Sequence, residues 1–135
     1  MHQLRTFIME PNKAVRDALV LRLGREPLIS IVGRSDLTLL DFEKVESQLT
    51  LFGLPNRSAR ADAHLHKLVE RIAQRSPVIV LDGYLNEESS QRFLNAGASD
   101  YLLKETNLTP LLNSIHSFQT NQSFTHTDSG IFIPK

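Results

Sequence analysis

Short unbroken apolar runs alternate along this chain with longer stretches in which apolar residues recur every three or four positions. Runs of the first kind predict strands buried on both faces, and stretches of the second kind predict helices laid over them. Leu4 to Met9 is the first strand-like run. A helix is expected over Lys13 to Leu23, capped by Asn12, with Val15, Ala18, Leu19 and Leu23 on one face and Gly24 as its stop. Ile29 to Val32 predicts a second strand closed by Gly33. Ser35-Asp36 offers a cap for a helix reaching Ser47, with a less regular stripe of Leu37, Leu40 and Val45. Leu49 to Leu54 predicts a third strand, ended by Pro55, which has no amide for a central ladder.

Asn56 to Asp62 reads as a polar, basic loop, and Ala63 to Arg75 as a helix turning Leu65, Leu68, Val69 and Ile72 inward. Four consecutive aliphatics, Val78 to Leu81, form the clearest strand. Asn86 to Asn95 predicts a helix stopped by Gly97, and Tyr101 to Lys104 the last strand. Pro110, behind Thr109, opens a final helix carrying Leu111, Leu112, Ile115 and Phe118. From Thr120 the sequence is polar and loop-like as far as Ile131-Phe132-Ile133-Pro134. Five strands and five helices in alternation predict a doubly wound α/β domain with a parallel sheet. Right-handed crossovers and cover on both faces favour the flavodoxin-like strand order 2-1-3-4-5. Alternation alone leaves several α/β folds open.

Length and composition narrow the function classes. At 135 residues one core is expected. Fifteen basic and fifteen acidic side chains cancel, so nothing global favours nucleic acid or an anionic membrane, and self-repulsion is weak. The absence of cysteine excludes disulfides and thiolate-held metal. No apolar run approaches the roughly 20 residues of a membrane span, and the first ten residues hold too short a run for a signal peptide. A soluble, cytoplasmic domain is expected.

The strand-like runs end on chemistry. Ile8-Met9-Glu10-Pro11-Asn12, Leu49-Thr50-Leu51-Phe52-Gly53-Leu54-Pro55, Val78-Ile79-Val80-Leu81-Asp82-Gly83-Tyr84 and Ala96-Gly97-Ala98-Ser99-Asp100-Tyr101-Leu102-Leu103-Lys104 each stop at polar or turn residues. In a parallel sheet those stops meet at the carboxyl edge, where ligands bind. The last two segments resemble the fourth-to-fifth-strand region of response-regulator receiver domains in two-component signalling. Ala14-Val15-Arg16-Asp17-Ala18-Leu19 and Ile31-Val32-Gly33 are similar to receivers of LuxR/NarL-type regulators, which carry a helix-turn-helix output domain. The resemblance covers roughly residues 4–118 and is weak in the middle. It implies a receiver-like domain over 1–119 and a tail over 120–135.

Receivers use an acidic pair after the first strand, a phosphate-accepting aspartate after the third, a hydroxyl after the fourth and a lysine after the fifth. Carried over by position, the pair falls on Glu10 and Pro11. Counted back from Leu54-Pro55, the acceptor falls on Leu51, and no Asp or Glu occurs from Ser47 to Ala61. The hydroxyl position falls on Asp82, the lysine on Lys104 and the aromatic switch residue on Tyr101. The resemblance thus implies a degenerate pocket of Glu10, Pro11, Leu51, Asp82, Tyr101 and Lys104, with no catalytic residue, cofactor or metal. Lys104 is expected to pair with Asp82, with Glu10 as the rival, and Tyr101 to hold one rotamer.

Other candidates weigh less. His64 and His66 have metal-like spacing, but residues two apart on a helix diverge. Arg57, Arg60, Lys67, Arg71 and Arg75 form a basic stretch, read first as a solvated face and second as a dock for an acidic partner. Gly33, Gly53, Gly83 and Gly97 stand singly at element ends and form no phosphate-binding loop. The expectation is a pseudo-receiver, not an enzyme, that acts by protein–protein interaction without aspartyl phosphorylation. Its partner is another protein or a second copy, met through the last two helices and fifth strand, with Ile131-Phe132-Ile133 as a possible addition. The alternatives are a receiver whose acceptor has moved to Asp82, or the regulatory part of a helix-turn-helix regulator. Residues after Thr120 are too few for such a DNA-binding domain.

Overall fold

The computed structural model describes residues 3–56 and 59–128, with side chains described over 3–56 and 63–119. Five parallel strands, β1 (Leu4–Met9), β2 (Ile29–Ser35), β3 (Leu49–Gly53), β4 (Val78–Asp82) and β5 (Asp100–Leu103), pair in the order β2-β1-β3-β4-β5. Between them run α1 (Lys13–Leu23), α2 (Leu40–Glu43), α3 (Ala59–Ala73) and α4 (Glu87–Asn95). These elements form one compact unit that ends at Lys104. Helix α5 (Thr109–Asp128) belongs to a second, which begins at Glu105; among its described side chains Leu111 and Ile115 are buried. The expected doubly wound sheet and its strand order are what the chain adopts.

Strand alternation divides the core. Phe7, Met9, Phe52, Val78 and Val80 join Phe42, Leu65, Val69, Ile72 and Phe93 in a single cluster. Ile8, Leu51 and Ile79 lie between them along the strands and so face the other way. They are in register across the sheet, Ile8 opposite Leu51 and Leu51 opposite Ile79, and all three are buried. The buried polar pair in these central strands is satisfied internally, Thr50 Oγ1 donating to Ser76 Oγ at 3.0 Å. Side-chain caps start two helices: Asn12 accepts from the Val15 amide at 3.1 Å and Asn86 from the Ser89 amide at 2.9 Å.

Several boundaries differ from the pattern-based expectation. β2 continues to Ser35 because Gly33 does not close it: after a register shift at Thr6/Phe7 the ladder resumes as Phe7–Gly33, Ile8–Arg34 and Met9–Ser35. A Cβ at Gly33 would meet the Phe7 ring, so glycine there makes room for a core aromatic. The expected helix from Ser35-Asp36 to Ser47 shrinks to four residues. Asp36 instead accepts from the Thr38 amide at 3.0 Å and Ser35 Oγ donates to the Asp36 carbonyl, local bonds that compete with helix formation. Of the expected stripe, Leu37 and Val45 pack against the core, whereas Leu40 is 66% exposed and Phe42 is the buried anchor of α2. Ala18 on α1 is exposed, and half-buried Arg16 and Val20 share the inward face with Leu19 and Leu23. Helix α3 starts at Ala59, inside the expected loop, where alanines alternate with Arg60 and Asp62 and favour helix. Helix α5 runs on to Asp128, past the expected end at Phe118, because no Gly or Pro interrupts residues 111–129 and each added residue gains a backbone bond. Ile131-Phe132-Ile133 lie outside the described residues.

Candidate functional site

At the carboxyl edge of the sheet the ends of β1, β3, β4 and β5 bring Glu10, Gly53, Asp82 and Lys104 together. Met9 is opposite Phe52, so Glu10 follows at the level of Gly53, which is itself opposite Leu81. Asp82 is opposite Leu103, and the Lys104 amide donates to the Asp82 carbonyl at 2.7 Å. Parallel register alone therefore delivers these four residues to one place.

Glu10 is fully buried. Its Oε1 lies 2.9 Å from Lys104 Nζ, its Oε2 accepts from the Asn12 amide at 2.8 Å, and its backbone carbonyl accepts from Arg16 Nη1 at 2.6 Å. Oε1 receives no well-directed hydrogen bond, so its attraction to Lys104 is mainly Coulombic. The ammonium finds its directed acceptor in the Leu54 carbonyl, at 2.6 Å. The pairing expected between Lys104 and Asp82 is thus corrected: the rival, Glu10, holds the lysine. Lys104 has to reach back towards β3 to meet the Leu54 carbonyl, and Glu10 stands next to that strand.

Asp82 is turned to a different partner. It is buried, and its Oδ2 accepts from the Tyr101 hydroxyl at 2.5 Å. The Tyr101 ring lies parallel to Phe93 of α4, with centroids 6.3 Å apart. A stacked ring with a tethered hydroxyl has little freedom to rotate. Pro11 is partly buried beside Asn12, where it adds no ligand and closes the turn into α1.

Leu51 is not at this edge. It sits two residues deeper on the same face as Gly53, buried in the transverse row with Ile8 and Ile79. The residue beside Glu10 and Lys104 is Gly53. A Cβ built on Gly53 would overlap Glu10 Oε1 and come within 3.4 Å of Lys104 Cε. The Glu10 carboxylate therefore fills the volume that any side chain at 53 would need. Counting back from Pro55 names Leu51, whereas the residue that the fold sets beside Glu10 and Lys104 is Gly53. The available signal was the glycine itself, since glycine in a buried central strand marks close approach by another group.

The arrangement has little capacity for a hard cation. Mg²⁺ takes an octahedral set of oxygens, usually with one or two carboxylates. Glu10 is already committed to Lys104 and Asn12, and Asp82 to Tyr101. Among the described residues no three His, Asp or Glu side chains converge. His64 is exposed, whereas the His66 ring packs edge-on against Phe93 at 4.4 Å, so the two histidines do diverge. In the basic stretch, Arg71 pairs with Glu43 at 3.1 Å and Arg75 lies over the Phe42 ring. Among the described residues no helix is long and apolar enough to cross a membrane.

No family model matches the chain, and no curated protein does. Solved structures match it well in shape. The signal receiver domain of the response regulator NarL from Mycobacterium tuberculosis superposes with a TM-score of 0.72 at 14% identity, over 87% of this chain and 97% of that one. The isolated receiver domain of RcsB from Salmonella enterica serovar Typhimurium, solved with the phosphomimetic BeF3−, gives 0.72 at 18% identity, over 88% and 90%. A longer RcsB structure from Salmonella typhimurium, solved in a study of DNA interaction, gives 0.72 at 20% identity; there 89% of this chain covers 62% of the other. Identities this low speak for architecture alone, and they agree with the strand order: the chain has the fold of response-regulator receiver domains, NarL- and RcsB-type regulators among them.

Proposed function

We propose that this chain is a pseudo-receiver, a cytoplasmic signal-transduction module that works through protein–protein interaction and neither accepts a phosphoryl group nor acts as an enzyme. One observation carries the reading: the buried Glu10 carboxylate, paired with Lys104, occupies the space above Gly53. Aspartyl phosphorylation needs a reachable carboxylate nucleophile, a metal to neutralise the phosphoryl oxygens and donors around them. Gly53 offers no nucleophile. Glu10 is inaccessible and its oxygens are engaged. Asp82 puts negative charge where a donor would be needed, and its hydrogen bond with Tyr101 holds it in place. In this reading Glu10, Pro11, Gly53, Asp82, Tyr101 and Lys104 are the remnant pocket, Leu51 having moved into the core.

The test is incubation with Mg²⁺ and acetyl phosphate, or with beryllium fluoride, followed by intact mass and amide NMR. The expected outcome is no phosphoryl adduct and unmoved amides at Glu10, Gly53, Asp82 and Lys104. An adduct mapping to Asp82 would replace this reading with that of a relocated acceptor.

A second reading is favoured by the longer RcsB structure, of which the chain covers 62%. There the module would be the regulatory part of a helix-turn-helix regulator, its effect on transcription exerted through a partner or linked domain. Co-purification with a DNA-binding protein, lost on disrupting the surface of α4 and β5, would support it.

A further inference from the structure

At the opposite edge of the sheet, where the chain enters the strands, lies a cavity of about 450 Å³. Small-molecule sites fall at roughly 300–1,000 Å³ and combine apolar walls with a few fixed polar groups. Here Val45 supplies the apolar wall, Phe42 lying buried beneath the Arg75 guanidinium, and the polar groups include Ser47 and Gln48. Two guanidinium groups, Arg5 from β1 and Arg75 from the turn after α3, line the same space.

Both arginines are pre-oriented. Arg5 Nε donates to the Glu46 carbonyl at 3.0 Å, while the Arg5 amide donates to Gln48 Oε1 at 2.9 Å and its carbonyl accepts from the Gln48 amide at 2.7 Å. Arg75 lies 5.4 Å from the Phe42 ring centroid and makes long bonds, 3.4 Å each, to the Glu43 carbonyl. Neither has a carboxylate within ion-pair distance among the described residues. The planar fork of an arginine suits a carboxylate, which it meets through two parallel N–H bonds. Glu46 also lines the cavity, so the lining carries two positive charges against one negative.

We propose that this cleft binds a small organic carboxylate with an apolar body, the anion between Arg5 and Arg75 and the body against Val45. A single negative charge matches the excess on the lining. The site is at the other edge of the sheet from the Glu10–Lys104 pair, so it stands whether or not the remnant pocket takes phosphate.

Amide NMR of the whole chain titrated with phenylacetate tests it, with neutral phenylacetamide and inorganic phosphate as controls. Saturable shifts at Ser47, Gln48 and Arg5 are expected with phenylacetate alone. Arg5→Gln and Arg75→Gln should each weaken binding about tenfold, the loss of one charged contact, and Glu46→Gln should tighten it. The proposal is overturned if no saturable shift occurs, if phenylacetamide shifts the same amides equally, or if phosphate does. Affinity unchanged in both arginine variants, with native circular dichroism, also overturns it. If either arginine variant fails to fold, Glu46→Gln and the comparison of ligand charge still decide.

Discussion

The ion pair between Glu10 and Lys104 places a buried negative charge beside a lysine side chain that is 19% exposed. Removing the cation from such a pair leaves the carboxylate without compensation, a loss on the order of 3 kcal/mol. Lys104→Met is therefore expected to lower the urea midpoint strongly at neutral pH, and Glu10→Gln in the same chain to restore part of it. Unfolding curves for the two single variants and the double variant measure the coupling. Gly53 makes a second prediction at the same point. Gly53→Ala drives a methyl group into the Glu10 carboxylate, and overpacking of that kind costs about 1–3 kcal/mol. The penalty should shrink when Glu10 is shortened to alanine; equal penalties in both backgrounds would show that the two groups do not compete for space. Sequence spacing could name Glu10, Asp82 and Lys104 as residues at one edge, because parallel strands must deliver their ends there. It could not choose the lysine's partner, a matter of a few ångströms of side-chain reach. Nor could it distinguish Leu51 from Gly53, since the apolar run Leu49 to Leu54 has the same appearance in either register.

Among the elements, the sequence signals were strongest where two cues coincided. Asn12 precedes an amphipathic stretch and does cap α1, and Asn86, expected as the first residue of α4, is its cap. Val78 to Leu81, four consecutive aliphatics, do form a strand, which ends on Asp82. The signals failed where local bonds or backbone continuity decided the outcome, as in the shortened α2 and the lengthened α5. Gly97 shows how one residue fixes a boundary. It sits at φ +117° behind α4, with its own amide donating to the Leu94 carbonyl and the Ala98 amide to the Phe93 carbonyl. That is the paired closure that ends a helix on a left-handed residue. A Cβ there would also come within 3.0 Å of Ala73 Cβ on α3. Gly97→Ala is expected to cost more than about 1 kcal/mol, since the substituted residue must hold a positive φ. Thermal unfolding checks it, and a cost indistinguishable from zero would mean that the turn relaxes into another conformation.

For the whole molecule, the receiver fold and near-zero net charge make association the property to examine. The outer residues around α4 support a contact surface: Tyr84 is 76% exposed, Leu85 54% and Leu94 40%, and β5 next to them is an edge strand with half-buried side chains. Exposed apolar side chains of this size are available to a partner at both ends of α4, Tyr84 and Leu85 before it and Leu94 in its last turn. With fifteen charges of each sign, long-range repulsion does little to keep two copies apart. We propose a homodimer through α4 and β5 in preference to a monomer bound to a different protein. Analytical ultracentrifugation over a wide concentration range is expected to show reversible dimerisation. Leu85→Glu with Leu94→Glu should weaken it by at least about tenfold, because each substitution desolvates a charge on contact. Truncation belongs after Asp128 and not at Thr120, since α5 is continuous to that point. Loss of dimer on removing 129–135, with the α4 substitutions neutral, would move the interface to the apolar Ile131-Phe132-Ile133. A monomer at every concentration, in both the parent chain and the variants, would leave association with a different protein as the function of this surface.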